Sequence, residues 1–186
     1  MSTSAPENTD ADAYTGVFGA YRFAVRRSES SLFRLYAVLF GGLLAAALAI
    51  GFGLALIVQI YQTLGGPGGS FTFARALFIL VGLFVVAPLM APVLFVARHH
   101  RRHTSDVRYD RLLATAGLVF LATLYVGLIA SIPAEFLLDA ELATRPAPTG
   151  LTAPVVAWLY AIPTRYALSF PAAGALGILL AHRFGR

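Results

Sequence analysis

The chain has no cysteine and no lysine, and only 12% of its 186 residues are charged. The missing cysteines exclude disulfides, thiol nucleophiles, iron–sulfur clusters and thiolate zinc sites. All 14 residues of the Lys/Arg class are arginine. No single physical role forbids lysine everywhere, so this reads as coding bias in a GC-rich host. The opening stretch MSTSAPENTDADAYT carries Glu7, Asp10 and Asp12 and no base. An acidic tail on a lysine-free chain is the composition expected of a salt-loving archaeon.

Scarce charge is matched by abundant apolar side chain. Hydrophobic residues make up 58% of the chain and the mean hydropathy is +0.74. A soluble domain of this length has too much surface for its volume to hide that much apolar area. The composition therefore predicts a multi-pass integral membrane protein.

A spanning helix needs about 20 apolar residues to cross a hydrocarbon core about 30 Å thick. The uncharged stretches between arginines predict spans over about 36–61, 76–97, 112–133 and 164–182. The first two are separated by the breaker Gly65-Gly66-Pro67-Gly68-Gly69. The stretch 151–162 is too short to cross and reads as an interfacial helix. A single long tilted helix over 151–182, kinked at Pro163, is the alternative. Residues 13–30 bring Tyr14, Phe18, Tyr21 and Val25 together at helical spacing, with arginines beside them. That is the pattern of an amphipathic interfacial segment. Residues 1–12 read as a disordered acidic tail. The expected fold is all-α: an integral membrane four-helix bundle, residues 31–186, plus short interfacial amphipathic helices. The first apolar run starts too late and is too long for a secretory signal.

Arginine placement predicts sidedness. Arg22, Arg26, Arg27 and Arg34 precede the first span. Arg98, Arg101, Arg102, Arg108 and Arg111 lie between the second and third, and Arg183 and Arg186 follow the fourth. Four spans put all of these on one side, leaving only Arg75, Arg145 and Arg165 on the other. The positive-inside rule then sets both termini in the cytoplasm of a cell-membrane protein.

Chemistry-bearing residues are few. No Asp, Glu, Lys or His lies well inside a span, whereas ion-coupled carriers and membrane metalloenzymes use such groups at membrane depth. Phosphate-binding loops, dinucleotide fingerprints and nucleophile elbows are missing too. No catalytic residue, cofactor or metal is expected, and no nucleic-acid partner. His99 and His103 share a helical face that Asp106 could join, but the surrounding arginines oppose a divalent cation. Asp106 and Asp110 are expected to pair with Arg102, Arg108 or Arg111. The arginines Arg98, Arg101, Arg102 and Arg108 are candidate contacts for lipid headgroups or an acidic partner.

Pro88 and Pro92 bend the second span and free carbonyls there. With Arg75 and Arg165 they outline a candidate solute pathway. Arg165 also suits outer-interface anchoring beside Trp158, Tyr160 and Tyr166. Small residues recur every four positions, as Ala45/Ala49/Gly53, Ala47/Gly51/Ala55, Thr123/Gly127/Ser131 and Ala173/Gly177/Ala181, which suits close helix packing or a homo-oligomer. The leading functional expectation is a non-catalytic accessory or scaffolding membrane subunit. The alternative is a small transporter or channel component for an anionic or neutral solute.

Overall fold

The structure is a computed structural model, and it describes residues 16–62, 64, 68–103, 106–138 and 141–185. The acidic tail expected over 1–12 lies outside the described residues. The fold is all-α, with four helices long and apolar enough to cross a membrane.

The chain opens with α1 (Gly16–Arg27), followed after an elbow by α2 (Ser31–Tyr36), a π-helical segment (Ala37–Leu44) and α3 (Ala45–Gln62). The last three run on as one rod, Ser31–Gln62, the first span. It begins five residues before the expected Tyr36 because Ser30 caps α2, its hydroxyl accepting the Phe33 amide at 3.3 Å. The π segment carries the pair Gly41-Gly42. A β-carbon on Gly41 would overlap the Tyr21 hydroxyl and crowd Val93, so only glycine lets α1 lie this close.

The second long helix, α4 (Gly68–Arg102), has 35 residues. At about 1.5 Å per residue it is about 52 Å long, so both ends project beyond the hydrocarbon. Pro88 and Pro92 lie inside it without interrupting it. The third, α5 (Val107–Ala130), is capped by Asp106, whose carboxylate accepts the Arg108 and Tyr109 amides. An antiparallel hairpin follows, β1 (Glu135–Leu138) with β2 (Glu141–Thr144), pairing Glu135 with Thr144. Then come the short α6 (Ala153–Tyr160), a 3-10 turn (Thr164–Tyr166) and α7 (Ser169–Phe184). Helix α6 is thus separate from the last span, and the single kinked helix is not formed. Pro163 has an extended ψ of 132° and ends the helical run.

Helix α5 is the centre of the bundle, packing on α2, α4 and α7. Its tightest neighbour is α7. A β-carbon on Gly127 would sit 2.7 Å from the Ala167 carbonyl oxygen, and one on Gly174 would overlap the Thr123 hydroxyl. The packed stripe of α7 is Pro171, Gly174 and Ile178, not Ala173/Gly177/Ala181, since Ala173 is exposed and nothing lies near Gly177. Helix α3 packs on α4 and leaves Gly51 and Gly53 facing open space.

Candidate functional site at the arginine-rich end

The arginine-bearing ends of α1, α4, α5 and α7 meet at one end of the bundle. Around Ser28, Asp110 and His100 they enclose a buried polar cluster. The elbow between α1 and α2 starts it. Ser28 has no exposure, and its hydroxyl donates to Asp110 Oδ2 at 2.5 Å. The same hydroxyl accepts the Ser30 amide at 3.2 Å, and the Ser28 carbonyl accepts Arg34 Nε at 2.8 Å. On its other oxygen, Asp110 meets His100 Nε2 at 2.9 Å. That approach is close enough for an ion pair but is not aligned as a hydrogen bond. Asp110 reaches this position because it shares the buried face of α5 with Leu113, Ala114 and Gly117, at helical spacing.

This corrects the expected pairing of the two aspartates with neighbouring arginines. Asp106 is spent on capping α5, and Asp110 points inward, away from Arg102, Arg108 and Arg111. A buried carboxylate is tolerable only when hydrogen-bonded or paired. Ser28 meets that need at Oδ2, and with the His100 contact at Oδ1 it ties the α1–α2 elbow, α4 and α5 to one point.

The order of groups also bears on chemistry. In a nucleophilic triad the imidazole stands between hydroxyl and carboxylate. Here the carboxylate stands between hydroxyl and imidazole, and all three side chains are closed off from solvent. The arrangement is a latch.

A second set of contacts surrounds it. Tyr109 and His182 Nδ1 share a hydrogen bond of 2.5 Å, joining α5 to α7. His182 stacks on Phe95 of α4 with ring centroids 4.0 Å apart. His99 stacks on Tyr109 at 4.2 Å and on His103 at 4.8 Å. All four histidines of the chain therefore lie at this end. Among the described residues no three metal-ligating side chains are grouped to hold an ion.

One turn deeper, two tyrosines bridge helices. The Tyr36 hydroxyl donates to the Leu89 carbonyl at 2.8 Å, beside the proline pair of α4. Its ring fills the space over Gly117, where a β-carbon would overlap it. The Tyr21 hydroxyl donates to the Ala37 carbonyl at 3.1 Å, where the π register begins. Burial, then the nearness of Tyr36, pushes the Tyr21 pKa up, so this hydroxyl remains a donor at any physiological pH. Both hydroxyls thus bond backbone carbonyls of a neighbouring helix, Tyr21 at the start of the π register and Tyr36 between the two prolines of α4.

Outside this buried layer arginines outnumber the exposed acids Glu29 and Asp106. Arg98, Arg101, Arg102 and Arg108 are all exposed at the α4–α5 junction, with Arg26 and Arg27 of α1 at the same end. The candidate pathway residues are more scattered. Pro92 is buried and Pro88 half-buried within an unbroken helix. Arg75 lies on the part of α4 that forms the hairpin with α3. Arg165 sits in the turn packed on α5, its guanidinium 4.9 Å from the Tyr166 ring.

A family model matches residues 6–186, almost the whole chain, and so takes in the latch and the arginine-rich end together. The chain belongs to the family described as domain of unknown function DUF8056. No curated protein and no solved structure matches it. The match makes the four spans and α1 one family unit.

Sequence reading did not single out the contacts of Ser28, His100, Tyr36, Tyr109 or His182, and it placed Tyr21 only in the amphipathic pattern of residues 13–30. One signal was available. Asp110 opens the series 110, 113, 114, 117, whose other members are apolar or glycine, so its position on an inward face was readable. The partners across helices were not, because helical phase gives a residue's own face and not what lies opposite.

Proposed function

We propose that this DUF8056 chain is a non-catalytic accessory or scaffolding subunit of the cell membrane, with both termini cytoplasmic. Its partner-facing surface is the arginine-rich end. The observation that carries the reading is the pairing there of a buried latch with outward arginines. Ser28, His100 and Asp110 fix the helix ends, while Arg98, Arg101, Arg102 and Arg108 face out. A preformed positive surface speeds encounter with an acidic partner and selects against basic ones. Eleven of the 14 arginines fall on this side of the four-span arrangement, which supports the cytoplasmic orientation.

The test is purification of the tagged chain in mild detergent from its own host's membranes. A stoichiometric companion protein is expected. Arg101→Ala with Arg102→Ala should lower its recovery and leave the thermal unfolding midpoint unchanged. A chain that purifies alone, or equal recovery from the variant, would overturn the reading.

The transporter alternative has less support. Helix α4 is continuous through Pro88 and Pro92, with no unwound stretch there. Solute flux in vesicles that changes with Arg165→Gln would restore it.

A further inference from the structure

On the membrane-facing side of the bundle α4 and α7 part, leaving an apolar groove. Its volume is about 210 Å³, and it is lined by Ala87, Pro88, Ala91, Ala175, Ile178 and Leu179. Three alanines and a proline ring are too small to close the gap between two helices that elsewhere pack on α5. The Phe95–His182 stack ties α4 to α7 just beyond the groove and sets its width.

Depth and charge say what the groove suits. Along α4, Ala87 and Ala91 lie 11 and 7 residues before Arg98, which is about 16 and 10 Å at the helical rise. Along α7, Leu179 lies four residues before Arg183, about 6 Å. The groove thus occupies the acyl-chain zone of one leaflet, half of a hydrocarbon core about 30 Å thick. The same phase relation aligns the charges with it. At 100° per residue Arg98 stands within about 20° of Ala87 and Ala91, and Arg183 stands one turn above Leu179. Both arginines are exposed, and neither has an ion pair or hydrogen bond among the described residues.

We infer that the α4–α7 groove is a binding site for an anionic phospholipid of the leaflet on the arginine-rich side. One acyl chain lies against Ala87, Pro88 and Ala91, and Arg98 and Arg183 hold the phosphate. Guanidinium groups suit this contact because their paired N–H donors match phosphate oxygens. The site needs no companion protein, so it stands or falls apart from the accessory-subunit reading.

Native mass spectrometry of the delipidated full-length chain tests it, with phosphatidylglycerol and phosphatidylcholine carrying the same two chains as probes. Wild type should retain phosphatidylglycerol about tenfold more tightly, given two arginines near the headgroup. Arg98→Gln with Arg183→Gln should abolish that preference, weakening phosphatidylglycerol far more than phosphatidylcholine, whose choline charge already offsets its phosphate. Ala87→Phe fills the groove from an exposed position and should weaken both lipids. Thermal midpoints of the variants, matched to wild type, establish that the bundle is intact. A wild type without preference, a preference that survives the double arginine substitution, or binding indifferent to Ala87→Phe would each overturn the inference.

Discussion

A carboxylate with no solvent exposure is costly unless its oxygens are answered, and Asp110 has the Ser28 hydroxyl on Oδ2 and the His100 ring 2.9 Å from Oδ1. Removing the acid leaves a buried hydroxyl and a buried imidazole without it. Asp110→Ala should therefore cost about 1–3 kcal/mol and lower the unfolding midpoint in detergent. Ser28→Ala should cost about 1 kcal/mol. The double variant should lose less than the sum of the two, because both act on one contact. Strict additivity would mean that the latch is not coupled. Tyr36→Phe tests the other buried bond and should cost about 1 kcal/mol through the lost hydrogen bond and the unpaired space left at the Leu89 carbonyl's second lone pair. Glycines divide in the same way. Gly117→Ala displaces the Tyr36 ring and should destabilise by about 1–3 kcal/mol. Gly51→Ala meets nothing and should not destabilise.

At the scale of elements, α1 packs into the bundle. Ala20 and Ala24 are buried in the core with Phe33, Val93 and Val96, while Phe18 is 92% exposed. The amphipathic pattern in the sequence announced a helix at this place. It did not announce that Ala20 and Ala24 would be the most deeply buried positions, with Tyr21 docked beside them and Phe18 turned out. Small size decided it, since alanine lets α1 approach α4 closely. The latch at Ser28 should hold α1 down. Amides in Ala20–Arg27 are expected to exchange slowly in wild type and markedly faster in Asp110→Ala, with the middle of α5 little changed. Uniform acceleration would point to global unfolding instead. The hairpin Glu135–Thr144 was not legible. Its two strands have four residues each, too few for a strand period to stand out between apolar helices. Arg145 supports its exit, with its guanidinium 4.1 Å from the Tyr160 ring of α6.

For the whole molecule the testable feature is orientation. The chain has no native cysteine, so single cysteines can be introduced without background. Arg102→Cys and Thr149→Cys are both at exposed positions, on opposite ends of the bundle. An impermeant maleimide added to intact cells should label Thr149→Cys and spare Arg102→Cys, with both labelled after permeabilisation. The reverse pattern would put the arginine-rich end outside and overturn the cytoplasmic assignment.

The number of spans, their approximate limits and the collection of arginine at one end were determined by the sequence alone. Each depends on a property local to the chain: about 20 apolar residues crossing a fixed thickness, and charges counted between crossings. The partners of Asp110, the docking of α1, the packed stripe of α7 and the α4–α7 groove were decided only by the tertiary structure. These depend on which helices become neighbours and how near small residues let them come. In an apolar solvent nearly every face of a helix is equally hydrophobic. Hydropathy then does not distinguish the face that meets protein from the face that meets lipid, and steric fit together with a few buried polar contacts makes that choice.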